Sequence, residues 1–288
     1  MRMKKLLFPL LILLIFAAGA LITLYPIIAD KWAQEHQLSV VQQYNEVVQQ
    51  VDRTEIENEL ALVDKYNRSL WENKVKLSDP FDPNAPDFPD GNYYELLNLT
   101  DTMAYVEIPK ISVNLPIYHG TKPETLEKGV GHLEGTSLPA GGEGTHACLS
   151  AHSGLPTAKL FTDLSKLTEG DTFFIHVLDL TLAYEVDQIT VVEPTDIKLL
   201  GIEDGQDYVT LITCTPYAVN THRLLVRGTR IEYTEETHQE AVEAVAETEL
   251  STIEIVQRIA IAAGFLLFLI LVIVLLKPKK YKGKHTKK

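Results

Sequence analysis

The chain has 288 residues, with 26 Lys plus Arg against 39 Asp plus Glu, for a formal net charge of −13 at pH 7. That balance argues against nucleic acid as a partner, because phosphate binding needs a basic face. With only two cysteines, no glycine-rich phosphate loop and no closely spaced His/Cys set, the sequence implies neither a cofactor nor a metal.

Residues 6–29, "LLFPLLILLIFAAGALITLYPIIA", carry no charge, and each residue of a helix adds about 1.5 Å, so the run can cross a hydrocarbon core of roughly 30 Å. Its basic start over residues 1–5 and the small residues Ala17 to Ala20 also suit a cleaved signal peptide. The run is longer than a signal core, which favours a retained anchor. A second uncharged run, 259–276, is followed by a basic tail over 277–288. Arg2, Lys4 and Lys5 precede the first run and seven lysines follow the second, while all the acidic residues lie between them. The positive-inside rule then puts both termini in the cytoplasm and the middle of the chain outside.

Residues 30–72 carry apolar side chains at helical spacing, among them Val40, Val41, Tyr44, Val47, Val48 and Val51, and predict one or two amphipathic helices. The stretch 73–92, with "LSDPFDPNAPDFPDGN", is too rich in proline and aspartate for regular structure and reads as a linker. From there the texture becomes short β-like runs: "AYVEIP", "VNLPIY", "GHLEGT", "THACLSA", "TFFIHVL", "TLAYEVDQITVVE", "YVTLITC" and "RLLVRGTRIEY". Eight strands in a mainly β region, 93–234, suggest a closed barrel or a sandwich, which protects sheet edges. A short helix is expected at "TAKLFTDLSKL", and residues 235–258 read as a helical or loose tether to the second apolar run.

Cys214 ends the strand "YVTLITC" and is followed at once by Thr215 and Pro216, which places a thiol at a strand mouth. An unpaired rim thiol is unusual in an exported protein, and cationic neighbours favour its reactive thiolate. Arg223 heads the next strand, so an antiparallel pair would set it opposite Cys214, as an oxyanion donor or as half of a surface ion pair. A base should be one of nine histidines, and His152, which ends a strand just before Gly154 and Pro156, is one candidate at a strand mouth like Cys214. Cys148 lies four residues before His152, about 13 Å along an extended strand, too far to bridge Cys214 if His152 neighbours it.

The run "TLITC" with Arg223 nine residues on, and "SAHSGLPTAKLFTDLSKL" upstream, resembles the sortases, extracellular cysteine transpeptidases of Gram-positive cell surfaces. The form "TLITCTPYAVNTHRLLVRGTR" and the two apolar runs resemble class C, the pilin-polymerising sortases. The resemblance covers about residues 30–276. It implies an eight-stranded sortase-type β-barrel with N-terminal amphipathic helices and two transmembrane helices. Cys214 would be the nucleophile, His152 the general acid/base and Arg223 the holder of substrate and oxyanion, with Thr213 lining the groove. The family often has Gly-His-Arg-Gly at the histidine, where this chain has Ala151-His152-Ser153-Gly154.

Class C members also carry a lid with an Asp-Pro-aromatic motif, and Asp79, Pro80 and Phe81 match it. The resemblance thus implies that Asp79 pairs with Arg223 and Phe81 covers the thiol. The implied partners are pilins or surface proteins with a sorting signal like Leu-Pro-x-Thr-Gly, an acceptor lysine of another pilin, and the cell membrane. Two other readings stay open: attachment of surface proteins to the cell wall, and a membrane-tethered binding domain without catalysis.

Overall fold

The computed structural model describes residues 2–73, 77–82 and 92–243. Two helices lead into the barrel, α1 (Arg2–Val48) and α2 (Arg53–Asn73). Asp52 separates them, its side chain accepting the Thr54 N–H at 2.8 Å and so capping the start of α2. One face of α1 carries Ala33, Gln37, Val41, Tyr44 and Val48, at steps of three and four residues. Val41, Tyr44 and Val48 are buried, and full burial of such side chains contributes about 1.5–3 kcal/mol each. Tyr44 also donates to Met103 O at 3.2 Å and accepts from Leu178 N at 2.7 Å, which fixes the register of helix on barrel.

Among the described residues, no helix is long and apolar enough to cross a membrane. The first expected span, 6–29, falls within α1, where the side chains of residues 2–17 are outside the description. The second, 259–276, lies outside the described residues, as does residue 83 onward to 91 of the proline-rich stretch.

The strands are β1 (Ala104–Ile108), β2 (Val113–His119), β3 (Val130–His132), β4 (Thr145–Ser150), β5 (Thr172–Val177), β6 (Leu180–Val192), β7 (Asp207–Thr215) and β8 (His222–Ile231). They close a barrel in the order β1-β2-β3-β4-β7-β8-β6-β5. Two neighbouring pairs, β2 with β3 and β4 with β7, are parallel, and the rest are antiparallel. The interior is filled by alternate residues such as Ala147, Leu149, Val209, Leu211, Leu224 and Val226. A second apolar cluster, Leu133, Cys148, Leu200, Ile212 and Leu225, uses the intervening residues and lies on the outer face of β4, β7 and β8.

Two local expectations fail. The run "GHLEGT" is a strand only to His132, because Thr136 folds back, its N–H and hydroxyl both donating to Leu133 O. The helix expected at 157–167 is a loop with a 3-10 turn at Leu164–Lys166. Leu160 has φ 42°, a left-handed value that breaks a right-handed helix, and Phe161 N donates to His152 O at 3.1 Å.

Candidate active site

Two neighbouring strands, β7 and β8, and the chain just past the end of a third, β4, carry the three candidate residues. In β7 and β8, Cys214 and Arg223 are direct register partners. In the parallel pair β4–β7, Ser150 is opposite Ile212, and Ala151 N donates to Ile212 O at 3.1 Å. Carrying that register two residues past the end of β4 brings His152 to the level of Cys214. The side chains at 148, 150 and 152 share one face, as do those at 210, 212 and 214. His152, Cys214 and Arg223 thus form a row on the outer face of the barrel, at the end where β4 and β7 stop and β8 begins.

Thr213 is not on that face. Neighbouring residues of a strand point to opposite sides, so its side chain points away from the groove that Cys214 faces. Its hydroxyl is buried and donates to Ala151 O at 2.8 Å. The groove-lining position expected of Thr213 is therefore corrected to a tie that holds the chain just before His152 against β7.

Residues 77–82 lie over the row. Asp79 accepts from Arg223 Nε at 2.9 Å and from Arg223 Nη2 at 2.6 Å, a bidentate pair. Both side chains are nearly covered, at 10% and 13% exposure. Arg223 Nη1 donates to Asn220 O and His222 O. A guanidinium has five N–H donors, and these four hydrogen bonds leave Arg223 one. Pro80 occupies the turn between Asp79 and Phe81, and Asp82 N closes that turn on Asp79 O at 3.1 Å. The Phe81 ring centroid is 5.8 Å from the His152 ring and 4.9 Å from Arg223 Cζ. The ring and Leu77 also pack on the outer apolar cluster.

Cys214 is 8% exposed. Burial pushes its thiol above the ordinary value; Arg223 pulls it down and Asp79 pushes it up. Burial pushes the His152 imidazole below its ordinary value, with Glu127 acting against that shift. Both directions favour the uncharged forms of the two groups. Cys148 is fully buried beneath Phe81, its thiol pushed well up by burial, and both cysteines are free. Among the described residues, no group of three or more His, Cys, Asp or Glu side chains is placed to hold a metal.

A sequence model of the sortase domain matches residues 106–231, which includes all three residues of the row. Streptococcus agalactiae sortase C1 is 48% identical, with a TM-score of 0.63 over 69% of this chain and 97% of that one. The chain belongs to the sortase family. Streptococcus pneumoniae sortase C is 47% identical at a TM-score of 0.63, over 68% of this sortase and 98% of its own chain. Sortase C-1 of Actinomyces oris is 47% identical at a TM-score of 0.60, covering 62% and 99%. These neighbours put this sortase in class C. Bacillus subtilis sortase D is 29% identical over 44% of the chain. Staphylococcus aureus sortase A is 31% identical over 41% of the chain. The chain spans only 62% and 57% of those two curated relatives.

Two features of this sortase's site escape a residue-by-residue reading of the sequence. Tyr217, in the loop between β7 and β8, lies against Gly154, where an added Cβ would meet the ring at 3.1 Å. Gly154 has φ 81°, so two constraints demand glycine two residues after His152. Glu127, the acidic residue acting on His152, comes from the connection between β2 and β3. An aromatic residue in the loop after the cysteine was a usable signal for the first; nothing in the sequence pointed to the second.

Proposed function

We propose that this sortase is a membrane-anchored extracellular transpeptidase that joins pilin subunits. The observation that carries this reading is the row of His152, just past the end of β4, with Cys214 and Arg223 on β7 and β8, under a segment that ties Asp79 to Arg223. The pneumococcal neighbour is described as having pilin substrate specificity, which supports the same class of substrate here. The expected substrate is a sorting signal similar to Leu-Pro-x-Thr-Gly.

In the first half-reaction Cys214 gives its proton to His152 and its sulfur bonds to the threonine carbonyl carbon. Arg223 donates to the resulting oxyanion. The Thr–Gly amide then breaks as His152 delivers the proton to the departing glycine amine, leaving a thioester on Cys214. In the second half-reaction a lysine amine of another pilin attacks the thioester and loses a proton to His152. The carbon–sulfur bond breaks, the proton returns to sulfur, and an isopeptide bond joins the two subunits. No cofactor takes part.

Asp79 holds two of the Arg223 donors and Phe81 lies beside both Arg223 and His152, so segment 77–82 competes with the substrate for the site and leaves when the sorting signal binds. Both termini are assigned to the cytoplasm of a Gram-positive cell, with the barrel outside. Incubating the full chain in vesicles with candidate pilins tests the reading. A ladder of covalent polymers that resists boiling and reduction is expected. Release of monomeric cleaved pilin alone would argue for hydrolysis, and transfer only to cell-wall peptide would argue for wall attachment.

A further inference from the structure

The helix α1 contacts the barrel at three heights, and those contacts order the barrel along the helix. Asp30, directly after the apolar run, accepts the Lys159 N–H at 2.6 Å. Lys159 belongs to the loop that leaves β4 through His152, and its own ammonium donates to Ile111 O, between β1 and β2. Two turns on, Gln37 donates to Lys128 O, just before β3 begins. Two further turns on, Tyr44 reaches Met103, just before β1, and Leu178, just after β5.

The strand directions give these contacts a meaning. Following the ladder around the barrel, one rim is made by the ends of β4 and β7, the starts of β8, β3, β2 and β5, and the ends of β1 and β6. That rim carries His152, Cys214 and Arg223. Asp30 touches this rim, Gln37 meets the barrel part-way along, near the level of Leu115, and Tyr44 touches the opposite rim. The end of α1 that emerges from the apolar run is therefore the end beside the catalytic rim.

From this we propose that the catalytic end of the barrel faces the bilayer, with the His152 loop held at headgroup height by the Asp30–Lys159 contact. The inference rests on the anchoring of residues 6–29 stated above. At a rise of about 1.5 Å per residue, the rim touched by Tyr44 stands roughly 20 Å farther out than Asp30. The surface chemistry of the catalytic rim agrees. Trp32 is 75% exposed one turn past the apolar run, and Tyr217 and Val219 project from the loop between β7 and β8 at 64% and 63%. Trp and Tyr favour the membrane–water interface, where one part of the ring is apolar and the other is wet. Lys31 beside Trp32 suits the same layer.

The other end of the chain is compatible with this orientation. β8 leaves the catalytic rim at Arg223 and ends at Ile231 on the far one. The helix that follows, from residue 235, packs back on the side of the barrel. His238 sits edge-on to Phe174 at 4.8 Å and bonds Glu107 at 3.2 Å.

Such a geometry selects substrates by position. A sorting signal that leaves the bilayer next to its own apolar segment meets the thiol at once, while the body of the pilin stays beside the barrel.

The test uses the full chain with Cys148→Ala and Cys214→Ala, carrying one new cysteine at Thr157 or at Asp179. Both positions are exposed, the first beside Lys159 and the second beside Leu178. Each is labelled with a donor dye, reconstituted into phosphatidylcholine vesicles containing 

headgroup-labelled acceptor lipid, and its height is read by energy transfer. The dye at Thr157 is expected to lie nearer the surface by roughly 20 Å. Equal heights, or a nearer dye at Asp179, in protein that floats with the vesicles would overturn the orientation and leave the anchor standing. Protein that fails to float with the vesicles would overturn the anchor and the orientation with it.

Discussion

The strands β4, β7 and β8 have two faces that use alternate residues of the same sequence. The inner face, with Leu149, Val209, Leu211, Leu224 and Val226, is closed on all sides by the barrel. The outer face, with Cys148, Ile212, Cys214, Arg223 and Leu225, is covered in part by Leu77 and Phe81 and by the Asp79–Arg223 pair. The inner cover is made of other strands and cannot leave without unfolding. The outer cover is a six-residue stretch held by one ion pair and a few apolar contacts. One face of the sheet is thus committed to stability and the other is free to carry chemistry.

The sharpest way to break that comparison is at the two thiols of the outer face. Cys214→Ala should reduce polymer formation below detection in a gel assay, with the far-UV circular dichroism unchanged. Cys148→Ala should keep activity, because its thiol lies under the cover and away from the rim; activity that followed Cys148 would sink the assignment. Next in size is the inner face. Leu211→Ala should cost about 2–5 kcal/mol, read as a lower urea midpoint with an unchanged slope. Phe81→Ala should cost less, under about 2 kcal/mol, since its ring is only partly buried. Similar losses from both would mean that the outer cover is part of the core.

Arg223→Lys keeps the charge and loses the planar fork. Thioester formation in single-turnover assays should fall by about two orders of magnitude, the scale of a lost oxyanion donor. A near-normal rate would show that Arg223 supplies charge alone. Asp79→Ala with Phe81→Ala frees Arg223 and uncovers the rim. Stopped-flow labelling of Cys214 by a small thiol reagent should quicken on the order of tenfold, the effect of about 1.4 kcal/mol from one partly desolvated pair and ring. Equal rates would mean that residues 77–82 do not guard the thiol.

The smallest expected effect is on the pH profile of that labelling. Burial and Asp79 both raise the Cys214 thiol, so the covered enzyme should label mainly above the ordinary thiol range, the rate rising as the proton is lost. Removing the Asp79 carboxylate removes one raising influence and leaves Arg223 unpaired, so the midpoint should move down. A midpoint that stays put in Asp79→Asn would show that burial alone sets it.

Much of this architecture was legible because it is local. The alternation in "YVTLITC" and "RLLVRGTRIEY" and the short loop between them fix an antiparallel pair, and with it the facing of Cys214 and Arg223. The same period of two also places Thr213 away from the thiol, a consequence that the family pattern obscured. The parallel pairing of β4 with β7 was not legible, because no turn joins them and their contact is decided by closure of the whole barrel. The loop after His152 misled for a different reason. Its apolar spacing suits a helix, but the left-handed Leu160 and the tie of Phe161 N to His152 O are set by tertiary contacts.

The hydroxyl of Thr213 reaches the carbonyl of Ala151 across 62 residues of chain. Contacts of that separation form only after a large loop has been closed, which delays them relative to hairpins such as β7–β8. During folding, Cys214 and Arg223 can therefore meet well before His152 arrives. The folding chain thus carries a thiol next to a cation before it carries the imidazole, and the row is complete only at the moment the barrel shuts.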